Sequence, residues 1–154
     1  MAIIVKAPHD YDMYSDKYKI FLAGAIDMGA AEDWQEKISI ALADLDVCLL
    51  NPRRTDWDSS WKQEKDNPQF REQVEWEQYG LNDADLIVVV FTKDSKAPIT
   101  LFELGLHIMD NVMVCCPTGF YRKGNVDIVC EGWNVPIYET VDELVLAIRQ
   151  LDLS

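Results

Sequence analysis

The run Leu86-Ile87-Val88-Val89-Val90-Phe91 constrains the fold of this chain more than any other stretch. Six consecutive apolar residues, most of them β-branched, predict a strand covered on both faces, because a strand with one wet face would alternate apolar and polar positions. Such a strand belongs in the middle of a parallel sheet. Parallel neighbours in turn require helical crossovers, so the flanking sequence must alternate strand and helix.

It does so. Lys19-Ile20-Phe21-Leu22-Ala23-Gly24 reads as a buried strand, and Ala25-Ile26-Asp27-Met28-Gly29 as a loop of small residues where a ligand can approach the backbone. Trp34, Ile38, Leu42 and Leu45 follow at spacings of 4, 4 and 3, one face of a helix. Val47 to Leu50 is a second strand ending at Asn51-Pro52. Ahead of these, residues 1–18 form an N-terminal extension whose Ile3-Ile4-Val5 reads as an edge strand leading into a polar, tyrosine-bearing connection. Beyond Phe91 come the polar loop Thr92 to Lys96, a helix around Glu103 and the strand Val112 to Cys116. A loop from Gly119 to Asn125, a short element from Val126 to Cys130, the strand Val135 to Tyr138 and a helix carrying Leu144, Ile148 and Leu151 complete the chain.

The pattern predicts a single α/β domain over 1–154, with a doubly wound, mainly parallel, five-stranded sheet. The expected order is 2-1-3-4-5, flavodoxin-like or Rossmann-like, counting Lys19 to Gly24 as the first strand. Ligands of such sheets bind beyond the carboxyl ends of the strands where the order reverses, here between the Lys19 to Gly24 and Leu86 to Phe91 strands. Gly24, Ala25 and Asp27 on one side and the Glu103 helix on the other then face the crevice.

Charge narrows the ligand class. A net charge of -13 argues against polymeric nucleic acid and anionic membranes as partners, since both require a cationic surface. It leaves room for a small anion held by local arginines. Neither a membrane-length apolar run nor a basic-then-apolar start is present, so a cytoplasmic location is expected. Four cysteines without paired C-x-x-C spacing, and two histidines far apart, give no ligand set for a metal and no disulfide framework. No metal and no cofactor are expected.

Two carboxylates stand out. Glu103 lies in Pro98-Ile99-Thr100-Leu101-Phe102-Glu103-Leu104-Gly105, where Thr100-x-x-Glu103 also matches a capping box; Thr140-x-x-Glu143 has the same spacing without any chemistry around it. Spacing alone leaves Glu103 as a cap or a site residue. Glu77 lies on the stripe Phe70, Val74, Glu77, Leu81, where a carboxylate is costly unless it is paired, near a cavity or protonated. It is either a site residue or a stripe-edge glutamate. In the long loop from Arg53 to Asn67, Trp57 and Trp61 can stack on a base or cover the sheet end. Arg53 and Arg54 either meet an anionic ligand or pair with nearby carboxylates.

Phe21-Leu22-Ala23-Gly24-Ala25-Ile26, Asn51-Pro52-Arg53-Arg54, Trp76-Glu77 eight residues before Ala84-Asp85-Leu86-Ile87, the Glu103 segment, and Arg122-Lys123-Gly124-Asn125-Val126 occur in this order and spacing. Together they resemble the nucleoside 2-deoxyribosyltransferase family, its 2-deoxyribosyltransferase-like branch, and the related 2'-deoxynucleoside 5'-phosphate N-hydrolases. The resemblance implies Glu103 as nucleophile, Glu77 as the substrate-contacting acid, and transfer of a deoxyribosyl group from a deoxynucleoside to a free base. The implied alternatives are a monophosphate N-glycoside hydrolase, with Arg53 or Arg54 on the phosphate, and a non-catalytic nucleotide-binding module. It also implies a homo-oligomer in which Asn125 reaches a neighbouring site, and a place in nucleotide salvage. Phe21 stands where the family commonly has a tyrosine, and Ala97 where transferases have an aspartate and the phosphate hydrolases a serine.

Overall fold

A computed structural model describes residues 1–26 and 32–154. The central run forms β4 (Leu86–Val90), every residue of it buried. Around it lie β1 (Ile3–Lys6), β2 (Tyr18–Gly24), β3 (Val47–Asn51), β5 (Val112–Cys115) and β6 (Ile137–Tyr138), in the order β1-β3-β2-β4-β5-β6 with all pairings parallel. The expected order is present and the sheet has six strands instead of five. The sixth is β1, which continues the sheet beyond β3 with Ile3 opposite Cys48 and Lys6 opposite Asn51. Four residues with one buried side chain carry little apolar periodicity, yet they cover an otherwise open edge of β3.

Helices lie on both sheet faces. α1 (Trp34–Ala41) and α5 (Val141–Arg149) bury Trp34, Ile38, Leu144 and Ile148 against one face, with Ile20, Leu22, Val88 and Val90 of the sheet. α2 (Pro68–Asp83), α3 (Pro98–Leu106) and α4 (Lys123–Gly132) cover the other through Leu81, Leu104, Val126 and Cys130, against Phe21, Leu50, Val89 and Val114. The alternation of strand side chains between these two layers is the physical content of the doubly wound arrangement. All four cysteines are buried free thiols. None of the described helices is long and apolar enough to cross a membrane.

Two local expectations change. The segment expected as a loop to Asn125 followed by a short element is one ten-residue helix, α4, so Asn125 sits exposed in its first turn. The last strand is shorter than Val135 to Tyr138, since only Ile137 and Tyr138 pair with β5.

The amino ends of β2 and β4 are locked together. The Lys19 amide donates to Asp85 Oδ2 at 2.8 Å, and the Asp85 amide donates to the Lys19 carbonyl at 2.9 Å. This leaves the opposite, carboxyl ends of the two strands as the place where the crossovers diverge, β3 to one side and β5 to the other.

Candidate active site

Gly24 ends β2 beside Val90 of β4. A Cβ at Gly24 would lie 2.3 Å from Trp34 Cζ2 and 2.5 Å from the Val90 carbonyl oxygen, so no larger residue fits without moving the sheet or the indole. Trp34 Nε1 donates to the Ala25 carbonyl at 3.0 Å, tying the start of α1 back to the end of β2. Asp33 caps α1 by accepting from the Glu36 amide, and its other oxygen accepts from Arg53 Nη1 at 3.1 Å. The ends of β2 and β3 and the start of α1 thus form one clamp. Asp27, expected at this rim, lies outside the described residues.

Glu103 is a helix-interior residue. α3 begins at Pro98 after Ala97, whose left-handed backbone (φ 45°, ψ 54°) turns the chain into the helix. Thr100 therefore lies inside the first turn, buried, and caps nothing. Thr140, at the same spacing from its glutamate, does cap: its hydroxyl accepts from the Glu143 amide at 3.1 Å, and Glu143 Oε2 accepts from the Glu139 amide. The capping-box alternative holds for Glu143 and fails for Glu103.

With only 7% of its surface exposed, Glu103 receives no side-chain hydrogen bond among the described residues. Burial, reinforced by the charge of Glu77, pushes its carboxyl up to about 8. Glu77 reaches the same cluster from α2. Burial pushes it up to about 7, and the donor from Gln73 works against that rise. Gln73 Nε2 bridges the Pro52 carbonyl at 2.8 Å and Glu77 Oε1 at 3.0 Å. Of the two carboxyls, only Glu77 has a side-chain donor among the described residues. Both carboxyls are thus displaced toward neutral pH, the range in which a carboxyl can serve as acid or base.

Gln73 was not singled out in the sequence, although it stands one helical turn before Glu77 on the same face. Gly80 was missed for a similar reason. A Cβ there would lie 2.7 Å from the Phe21 ring, which occupies the space between β2 and α2 and packs against Trp76 at 6.0 Å. The helix face turned to the sheet is therefore Gln73, Gly80 and Leu81, with Phe70, Val74 and Glu77 partly buried at its edge.

The arginines follow the pairing alternative. Arg54 is buried and bidentate to Asp56 at 3.0 Å for both bonds, with Nη1 on Glu72 at 2.9 Å. Its guanidinium stacks on Trp61 at 5.2 Å, and Trp57 meets Trp61 edge-on at 5.0 Å. These residues organise the loop after β3. Arg53 engages Asp33, as described. Neither guanidinium is left without a carboxylate. Among the described residues no cluster of three or more His, Cys, Asp or Glu is placed to hold a metal ion.

Comparison with known proteins places these features in a family. No curated protein matches the sequence. Among solved structures, the chain is similar to a conserved protein from Enterococcus faecalis V583 at 15% identity, with a TM-score of 0.59 over 87% of this chain and 98% of that one. At that identity the likeness speaks for the shared α/β fold. The sequence profile of the nucleoside 2-deoxyribosyltransferase-like family matches residues 17–120. That span contains the Gly24 rim, the Glu77 helix, the central strand and Glu103, and it makes this chain a member of the nucleoside 2-deoxyribosyltransferase-like family.

Proposed function

We propose that the protein cleaves the N-glycosidic bond of a 2'-deoxynucleoside and transfers the deoxyribosyl group to another base, with Glu103 as nucleophile and Glu77 as acid and base. The observation that carries this reading is the pair itself: Glu103, buried on α3, and Glu77, half-buried on α2, both raised by desolvation and Glu103 further by the charge of Glu77. In the first half-reaction a Glu103 carboxylate oxygen bonds to C1' while the C1'–N bond breaks. The bonding electrons go to the base nitrogen, and the Glu77 carboxyl supplies the proton that neutralises the leaving base. In the second, a nitrogen of the incoming base bonds to C1', the ester bond breaks, Glu103 is regenerated and Glu77 takes the proton from the incoming base. Gly24 and Ala25 border the space for the sugar, and Trp57 and the paired Arg53 and Arg54 shape the neighbouring rim.

The test is a chromatographic assay of the purified protein with deoxyadenosine, deoxycytidine and their 5'-monophosphates, each with and without a second free base. A new deoxynucleoside that requires the added base and disappears in Glu103→Ala is the expected result. No turnover on any substrate, with binding retained, overturns the enzyme reading in favour of a binding module.

One observation favours a hydrolase of monophosphates as second reading. Lys96 and Arg122, on the loops after β4 and β5, flank the Tyr121 ring at 5.5 and 5.2 Å, and neither has a carboxylate partner among the described residues. Unlike Arg53 and Arg54, they have no carboxylate to release before meeting a phosphate. Release of base from the monophosphates without exchange decides for it.

We also propose a homo-oligomer that brings Asn125 to a neighbour's site. Ile99, Phe102, Leu106 and Met109 form an exposed apolar stripe along and just beyond α3, and Ile128 and Trp133 are exposed on and after α4. Mixing inactive Glu103→Ala with inactive Asn125→Ala is expected to restore measurable turnover, because some mixed sites then hold both native residues. Full activity of Asn125→Ala alone, or no recovery on mixing, contradicts the shared site.

A further inference from the structure

We infer that Gln73 is the positioning residue that decides which carboxyl of the pair keeps the proton, holding the charge on Glu77 and the proton on Glu103 until a ligand arrives. Gln73 is buried, and its amide orientation is fixed from outside the pair. The Pro52 carbonyl can only accept, so the nitrogen must face it at 2.8 Å, and the same nitrogen then presents its second hydrogen to Glu77 Oε1 at 3.0 Å. The arrangement leaves Gln73 Oε1 buried without a partner among the described residues.

An amide hydrogen donated to a carboxyl oxygen favours the ionised form. Glu103 receives no such donor among the described residues, so the one negative charge of the pair settles on Glu77. The surroundings do not compete for it. From α3 the group acting on the pair is Glu103 itself. β2 contributes apolar Phe21 and Ala23, the end of β3 contributes neutral Asn51 and Pro52, and Arg53 and Arg54 are engaged by Asp33, Asp56 and Glu72. The resting nucleophile is thereby kept as a neutral acid. For Glu77 to donate to a ligand's ring nitrogen, the proton must first pass from Glu103 to Glu77, which leaves Glu103 ionised.

The inference concerns the pair and not the reaction, so it is tested on the substrate-free protein. The carboxyl carbons of Glu77 and Glu103 are followed by NMR in protein carrying ¹³C-labelled glutamate, with assignment by Glu77→Gln and Glu103→Gln. In the parent protein Glu77 is expected to ionise first. In Gln73→Met, which keeps the length and packing but has no donor, the Glu77 midpoint should rise by about one unit and Glu103 should ionise first. Gln73→Leu, which also lacks a donor and adds no charge, should raise the Glu77 midpoint as well and serves if the methionine variant does not fold. Unchanged order and midpoints in either folded variant overturn the inference. An inactive parent protein with the expected titration would sink the proposed reaction and leave this inference standing.

Discussion

Glu103→Gln is expected to abolish turnover and, at the same time, to make the protein more stable at pH 8. The loss should be at least about 10³-fold in kcat, because a neutral amide cannot replace the attacking carboxylate. The stability gain follows from linkage. A carboxyl raised from 4.5 to about 8 in the folded state holds its proton while the unfolded chain has released it. The folded state therefore binds more protons throughout that window, and stability is lost as pH rises from near 4.5 through 8. Glu77, raised to about 7, acts in the same direction. The shift of Glu103 sets an upper bound of about 5 kcal/mol, and relaxation and water entry reduce the expected gain to about 2 kcal/mol. That corresponds to a rise in Tm of about 4–8 °C at pH 8, shrinking toward zero near pH 5. A variant that loses activity without this pH-dependent gain would place Glu103 in a solvated, ordinary setting and remove the basis for its role.

Gly24→Ala is expected to give the largest loss of stability of any single methyl addition at the crevice. The new Cβ meets the Val90 carbonyl, part of the β2–β4 ladder, and the buried Trp34 indole at the same time. Neither neighbour can move freely, since the indole also donates to the Ala25 carbonyl. Overpacking of this kind costs about 3 kcal/mol, a fall in Tm of about 6–12 °C, and the tryptophan fluorescence should shift as Trp34 is displaced. Gly105→Ala is the control, because a Cβ there meets nothing within 4 Å. It should leave stability unchanged or raise it by about 0.5–1 kcal/mol through helix propensity. Equal behaviour of the two alanine variants would mean that the Gly24 rim is looser than its geometry.

The contrast between the two glycines illustrates how the chain divides its information. Gly24 is required by close packing of a strand end against an indole. Gly105, two residues after Glu103, is exposed on the outer face of α3 beside Phe102 and Leu106. Its small size has no purpose within one subunit, which fits the proposed contact with another copy.

The apolar run of β4 and the spacing of the helices around it were sufficient to state the parallel sheet and its order, because burial on both faces leaves few arrangements for a strand. Glu103 and Glu77 could also be singled out as candidates, one from its motif and one as a carboxylate where an apolar residue belonged. What decided between their alternatives was tertiary. Thr100-x-x-Glu103 and Thr140-x-x-Glu143 share a spacing, but the left-handed turn at Ala97 starts α3 at Pro98, two residues before Thr100, whereas Thr140 stands outside α5. A cap is defined by where the chain enters the helix, and that entry is set by the loop and by packing against the sheet. The arginines behaved likewise: Arg54 meets Asp56 in the same loop and Glu72 on the next helix, a pairing only the folded β3–α2 connection brings together. The sixth strand, the Gln73 bridge from Pro52 to Glu77 and the Phe21–Gly80 contact each join segments far apart in the chain. Periodicity along the chain determined which faces are buried; which partners meet there was decided by the tertiary structure, because charge and hydrogen bonding depend on distance in space.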